Sequence, residues 1–193
     1  MNKRSAEESK TKILEAARSI FAEHGYAEAS MRAIARQAGI SVGGLYLYFR
    51  NKEELYLTFM QDWMKKLNDR TRDALIDLDN PVEELEVFIR IALDFALNNR
   101  EIISLQSREL GFSFGSEYKK DFSRERRTLI ANVIRKGIAS GVYRDTDADE
   151  TAKVIFNLLR GFVVSMVNDE ESLFAADECV KFVLHGLLRR NIE

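Results

Sequence analysis

Residues 30–55, SMRAIARQAGISVGGLYLYFRNKEEL, divide into two short helical segments and the start of a third. Ser30 is suited to cap a helix whose inner face is Ala33, Ile34 and Ala38 and whose end is marked by Gly39. Ile40 then leads to Ser41, a second capping serine, ahead of a run from Val42 to Phe49 in which Leu45 and Phe49 share one face. Two short helices joined through a glycine turn form the helix-turn-helix pattern. Neither is long enough to stand alone in water, so Ile34, Ile40, Leu45 and Phe49 require a packing partner. The preceding segment offers one, because Ile13, Ala17, Ile20, Phe21 and His24 recur at helical spacing before Gly25, which is placed to end that helix. The expected result is a three-helix module over residues 1–51.

Spacing alone would fit any small bundle with glycine turns, and the distribution of charge moves a nucleic-acid-binding module ahead of that reading. The 193 residues carry 29 Lys and Arg against 31 Asp and Glu, a net charge of −2. Residues 1–52 hold nine basic and five acidic side chains, a balance of +4, which leaves −6 for the remainder. This asymmetry suits a basic module that meets a polyanion and an acidic body that does not. Lys3 and Arg4 read as a disordered, solubilising arm, or as one that reaches an adjacent minor groove or phosphate.

Composition narrows the class further. With 46% hydrophobic and 31% charged residues, the chain is neither an intrinsically disordered nor a membrane sequence. Its most apolar stretch, Val154 to Val167, is interrupted by Asn157 and Arg160 and is shorter than the roughly 20 residues that span a bilayer. Cys179 has no partner for a disulfide, and one proline with ten glycines is too little punctuation for an all-β fold. Met1 to Lys12 lacks the apolar core of a secretory signal, so a cytoplasmic protein with no membrane partner is expected. The fold class that follows is all-α, with about nine helices.

The residues of the opening stretch also carry a family likeness. Ile34-Ala35, Ala38-Gly39, Leu45-Tyr46, Tyr48-Phe49 and Asn51 to Leu55, with Phe21, Gly25 and Tyr26 before them, closely resemble the TetR family of bacterial transcriptional regulators. Beyond this region only length and helical pattern agree. The resemblance implies a homodimer that binds a palindromic operator in double-stranded DNA, its second short helix in the major groove. It also implies that residues 52–193 form a larger ligand-binding and dimerisation domain, whose small-molecule effector releases the repressor. Residue by residue, it implies a phosphate grip from Ser30 and Arg32, from Tyr46 and Tyr48, and from Lys52. The implied base-reading segment is Ser41, Val42, Gly43, Gly44 and Leu47.

Hydroxyls, cationic side chains and helix N-terminal amides suit phosphate oxygens, and cation contacts make affinity fall with salt. The reading segment departs from the commoner pattern, which often has threonine in place of Gly44 and histidine in place of Tyr48. Val42, Gly43, Gly44 and Leu47 cannot make the bidentate hydrogen bonds that distinguish guanine or adenine. Contacts of Val42 and Leu47 with thymine methyls, close backbone approach at the glycines, and Arg32 remain as sources of specificity. Two adjacent glycines also weaken this helix by roughly 1 kcal/mol each relative to alanine.

From Lys52 the pattern is one of long helices, the first ending near Leu78 ahead of Pro81. Another follows Pro81, then a short one over Ile102 to Leu110, a loop over Gly111 to Ser116, and a long helix ending near Gly141. Two more are expected, over Asp147 to Val167 and Glu171 to Arg189. Trp63, Phe88, Phe95, Phe112, Phe114, Tyr118 and Phe122 give more aromatic bulk than a plain bundle needs. They line a pocket for an apolar or amphipathic ligand, with Gln106, Arg108 and Glu109 as polar contacts, or they form core. In the last two helices Phe156, Leu159, Phe162, Val163 and Met166, then Phe182, Val183 and Leu187, wrap more than one face. One stripe can cover the chain's own core while the other pairs with a second copy, with Gly161 and Gly186 permitting close approach.

Enzymatic chemistry finds little support. His24, on a helix face expected to be buried, and His185 are the only histidines, and neither belongs to a metal-spaced cluster. Cys179 lacks an activating partner, and Glu53, Glu54, Glu170 and Glu171 suit helix starts. No catalytic residue, metal or cofactor is therefore expected. A ligand-binding or adaptor protein with a degenerate DNA module is the alternative, and a small helical enzyme a weaker one.

Overall fold

The computed structural model describes residues 3–105, 115–168, 171 and 173–189. Among these the architecture is all-α, with helices α1 (Lys3–Glu28), α2 (Met31–Gln37), α3 (Val42–Tyr46), α4 (Lys52–Leu75), α5 (Pro81–Asn98), α6 (Arg100–Leu105), α7 (Ser116–Ala139), α8 (Ala148–Asn168) and α9 (Ala176–Leu187). Two compact units emerge, residues 1–64 with 101–116, and residues 65–100 with 117–193.

In the first unit α1 packs against α2, and α2 against α3. The core is the set that the periodicity predicts: Ile13, Ala17, Ile20, Phe21, Ile34, Leu45 and Phe49 are buried, while Ile40 is half-buried. Leu55, Tyr56 and Phe59 on the first turns of α4 complete it, with the Tyr56 ring edge-on to Phe21 and to Tyr26 at 5.1 Å. At Gly25 the helical dihedrals of α1 break, as the placement of that glycine predicts, with φ 78 and ψ 170, and a short helical turn follows to Glu28. Two expectations are corrected. Helix α1 begins at Lys3, so the segment of Lys3 and Arg4 is helical rather than a disordered arm. His24 lies on the exposed side, its Nε2 3.8 Å from Glu23.

In the second unit α5 packs against both α8 and α9. Asn80 caps α5 by accepting the Val82 amide at 3.0 Å, with Pro81 at the first turn where its missing N–H costs nothing. The end of α7 is locked by Tyr143, whose buried hydroxyl donates to the Pro81 carbonyl at 2.7 Å and whose ring lies against Gly137. Burial, reinforced by Glu84, raises the Tyr143 pKa, so the phenol stays protonated as that donor requires. Two hydrogen bonds tie the loop after α7 to the C-terminus: Arg144 to the Leu187 carbonyl at 2.9 Å, and Arg189 to that of Val142 at 3.1 Å. Helix α4 ends at Leu75, short of Leu78, and α9 starts at Ala176 rather than Glu171. The latter difference has a packing cause: residues 173–175 are not helical, and Phe174 there sets its ring 5.1 Å from Phe162.

Candidate nucleic-acid interface

The two short helices are fixed by the caps that the sequence places. Ser30 Oγ accepts the Ala33 amide at 3.1 Å and Ser41 Oγ accepts the Gly44 amide at 3.0 Å. Each bond uses a lone pair and leaves the hydroxyl hydrogen able to donate to a phosphate oxygen. Between the helices Gly39 has φ +71, where an L side chain is strained. Leu45, fully buried, anchors α3, and the remaining side chains of the segment then turn outward.

What turns outward is amphipathic. Tyr46 is 51% and Leu47 85% exposed, and Val42 lies outward beside them. Ser30, Arg32, Ser41 and Gly43 are exposed as well, whereas Gly44 and Tyr48 are half-buried. Leu47, which follows the five-residue helix as its C-cap, buries little of its side chain within the module and, beside Val42 and Tyr46, leaves an apolar surface facing outward. Arg36 and Arg50, exposed on either side of the turn, were not singled out from sequence. Their signal was available in the +4 balance of the first 52 residues. The helix spans only Val42–Tyr46 and not the run to Phe49, in keeping with the poor propensity of its two glycines.

Lys52 behaves differently from the other residues of the expected phosphate grip. Its ammonium donates to the carbonyls of Tyr26 at 2.7 Å, Ala27 at 3.0 Å and Ala29 at 3.0 Å, and sits 4.6 Å from the Tyr26 ring centroid. These carbonyls follow the break at Gly25, so the lysine holds the segment after it to the start of α4. Next to it Asn51 Oδ1 accepts the Glu54 amide at 2.8 Å, and Glu54 returns a carboxylate oxygen to the Arg50 amide at 2.7 Å. This reciprocal cap fixes the N-terminus of α4.

The residues assigned to ligand and partner contact fall in several places. Trp63 is buried, Phe88 and Tyr118 are buried, and Phe95 and Phe122 are half-buried. Gln106, Phe112 and Phe114, with Arg108 and Glu109, lie outside the described residues. Of the set assigned to pairing, Phe156, Leu159, Phe162, Met166, Val183 and Leu187 are buried within the chain, Val163 is half-buried, and Phe182 is 75% exposed. Among the described residues no group of three or more His, Cys, Asp or Glu side chains is arranged to hold a metal ion. Cys179 is buried, and that burial raises its thiol pKa away from the reactive thiolate.

Residues 13–58 match the family model described as bacterial regulatory proteins, tetR family. The chain is 28% identical over 141 residues to the HTH-type transcriptional repressor KstR2 of Mycobacterium tuberculosis, covering 71% of this chain and 70% of that protein. It is 24% identical over 162 residues to the fatty acid metabolism regulator protein of Bacillus subtilis, covering 82% and 84% respectively. A solved TetR transcription regulator from Haloarcula marismortui superposes with a TM-score of 0.82 at 21% identity, over 95% of this chain and 100% of that one. The transcriptional regulator FadR from Bacillus subtilis, in complex with stearoyl-CoA, gives 0.76 at 21% identity, over 91% and 98%.

Proposed function

The chain belongs, through residues 13–58, to the TetR family of bacterial regulatory proteins, and from that premise we propose that it is a ligand-responsive repressor binding a palindromic operator as a homodimer. The observation that carries this is the outward face of the two serine-capped helices, where Arg32, Arg36, Tyr46 and Leu47 project from a buried Leu45 anchor. The arginines, Tyr46, Tyr48 and the Ser30 and Ser41 hydroxyls take phosphate oxygens, and Val42 and Leu47 take thymine methyls. Lys52 acts indirectly, by holding α1 and α4 in place.

Pairing through the last two helices requires faces not already spent on the chain's own core. Val154, Gly161 and Val164 on α8 and Phe182 and Gly186 on α9 are exposed, and added side-chain carbon at either glycine would meet nothing within 4 Å. The dimer face is therefore this outer stripe, with the buried residues beneath it as support. A two-fold dimer sets its reading helices in successive major grooves, about 34 Å apart. The described aromatic residues of α5 and α7, Phe88, Phe95, Tyr118 and Phe122, contribute to the site of an amphipathic effector, and the names of the B. subtilis relatives support that choice. Helix α4 runs from the DNA-binding module into the second unit and is the covalent path for coupling. The effector releases DNA only if it binds the incompetent state more tightly.

The test is DNA affinity measured across salt concentrations for the wild type and for Arg32→Ala and Tyr46→Ala. Wild-type affinity should fall steeply with salt, and Arg32→Ala should weaken binding and flatten the slope by about 1. A folded dimer with no DNA binding at low salt would instead support the adaptor, which the apolar Val42 and Leu47 also suit.

A further inference from the structure

The second unit holds a buried charge for which DNA binding has no use. Arg126, on α7, is 2% exposed. Its Nη1 donates to Thr71 Oγ1 at 2.8 Å, and its guanidinium carbon lies 3.9 Å from the centroid of the Phe88 ring. Among the described residues no carboxylate pairs with it. Glu125, its neighbour in sequence, is already engaged by Arg72 and by the Asn68 amide. A buried cation without a counter-ion is costly, and burial accordingly pushes the Arg126 pKa down to about 9, which leaves it charged at neutral pH.

A second observation points the same way. Asn68 Oδ1 is buried with no hydrogen-bond partner, one turn before Thr71 on the same face of α4. A donor and an acceptor thus stand incompletely satisfied on facing helices, α4 and α7, where Leu67 and Ile130 are buried and apolar, as are Leu85 and Ile89 on α5 beside Phe88. With Nη1 bonded to Thr71, the edge formed by Nε and Nη2 keeps the planar pair of donors that fits a carboxylate.

We propose that Arg126 anchors the carboxylate head of an amphipathic anion, with Phe88 and the apolar side chains around it receiving the ligand's hydrocarbon body. The proposal rests on the ligand-responsive regulator described above and names the chemistry of its effector. Hydrogen bonds to an ionised group are the strong ones, and an alcohol of the same length forfeits the ion pair while keeping the apolar burial.

The experiment is calorimetric titration of the full chain with decanoate, decan-1-ol, acetate and inorganic phosphate, for the wild type, Arg126→Met and Arg126→Lys. Decanoate should bind about tenfold or more tightly than decan-1-ol, with acetate and phosphate undetected. Arg126→Met should abolish the preference and leave the alcohol's affinity unchanged, and Arg126→Lys, charged but without the planar fork, should restore only part of it. Equal affinities for acid and alcohol, absence of decanoate binding, or a preference that survives in Arg126→Met would each overturn the proposal. If Arg126→Met fails to fold, the wild-type comparison decides alone. Ligand-free DNA binding on the same preparations separates the two claims. A chain that binds DNA but shows no preference for the acid defeats only the carboxylate anchor, and one that binds decanoate but no DNA defeats only the regulator.

Discussion

At the level of single residues, Arg126 and Lys52 show how far a side chain's role depends on what packs around it. Arg126 sits in the run Arg124, Glu125, Arg126, Arg127, which reads as a solvated helix face. The missed signal is its place on the apolar stripe of Phe122, Ile130 and Ile134, at four-residue steps. Because its charge is buried without a carboxylate, Arg126→Met should unfold at the same temperature as the wild type or higher, a gain of up to about 2 kcal/mol in ligand-free thermal denaturation. The pH dependence has a definite sign. Folding lowers this pKa to about 9, so the folded state sheds the proton first. The wild type should therefore gain stability relative to Arg126→Met as pH rises above about 9, and a difference that stays constant with pH contradicts the assignment. Family likeness set Lys52 in a phosphate grip, whereas its three contacts to the carbonyls of Tyr26, Ala27 and Ala29, beyond the break at Gly25, are tertiary and invisible to local sequence. Lys52→Ala should cost about 2 kcal/mol in the unfolding free energy of the chain, with the loss in the N-terminal module.

Helix by helix, the caps were the most readable feature and the endpoints the least. Ser30 and Ser41 each accept the amide that a capping residue should, because the bond is local and needs no tertiary context. The start of α9 was misplaced because it is set by Phe174 packing on Phe162, a contact invisible to periodicity. In α3 the two glycines differ. A Cβ at Gly43 meets nothing within 4 Å, whereas at Gly44 it comes 3.1 Å from the capping Ser41 Oγ. Gly43→Ala should stabilise the module by about 0.5–1 kcal/mol, and Gly44→Ala should gain less, as judged by chemical denaturation of the two variants. In α7 a Cβ at Gly137 would fall 2.0 Å from the Tyr143 ring. Gly137→Ala should therefore cost about 2 kcal/mol or more and loosen the hydroxyl bond to Pro81.

For the whole molecule, the near balance of 29 basic and 31 acidic residues conceals a basic module and an acidic body. That division, the all-helical fold and the two serine-capped short helices were legible because they rest on composition, short-range spacing and a specific motif. The sorting of the last two helices into core and outer stripe was not, since both faces are apolar and only packing shows which one the chain itself covers. If the outer stripe pairs two copies, Phe182→Glu should convert a dimer to a monomer in light scattering and weaken operator binding without unfolding the chain. The central claim is that the face carrying Arg32, Tyr46 and Leu47 reads DNA, and selection of bound duplexes from a random pool at low salt tests it most directly. The expected outcome is enrichment of one inverted repeat with half-sites about one helical turn apart, lost when Tyr46 and Leu47 are both replaced by alanine. Recovery of no common sequence by the folded wild type, or the same repeat by the double variant, would contradict it.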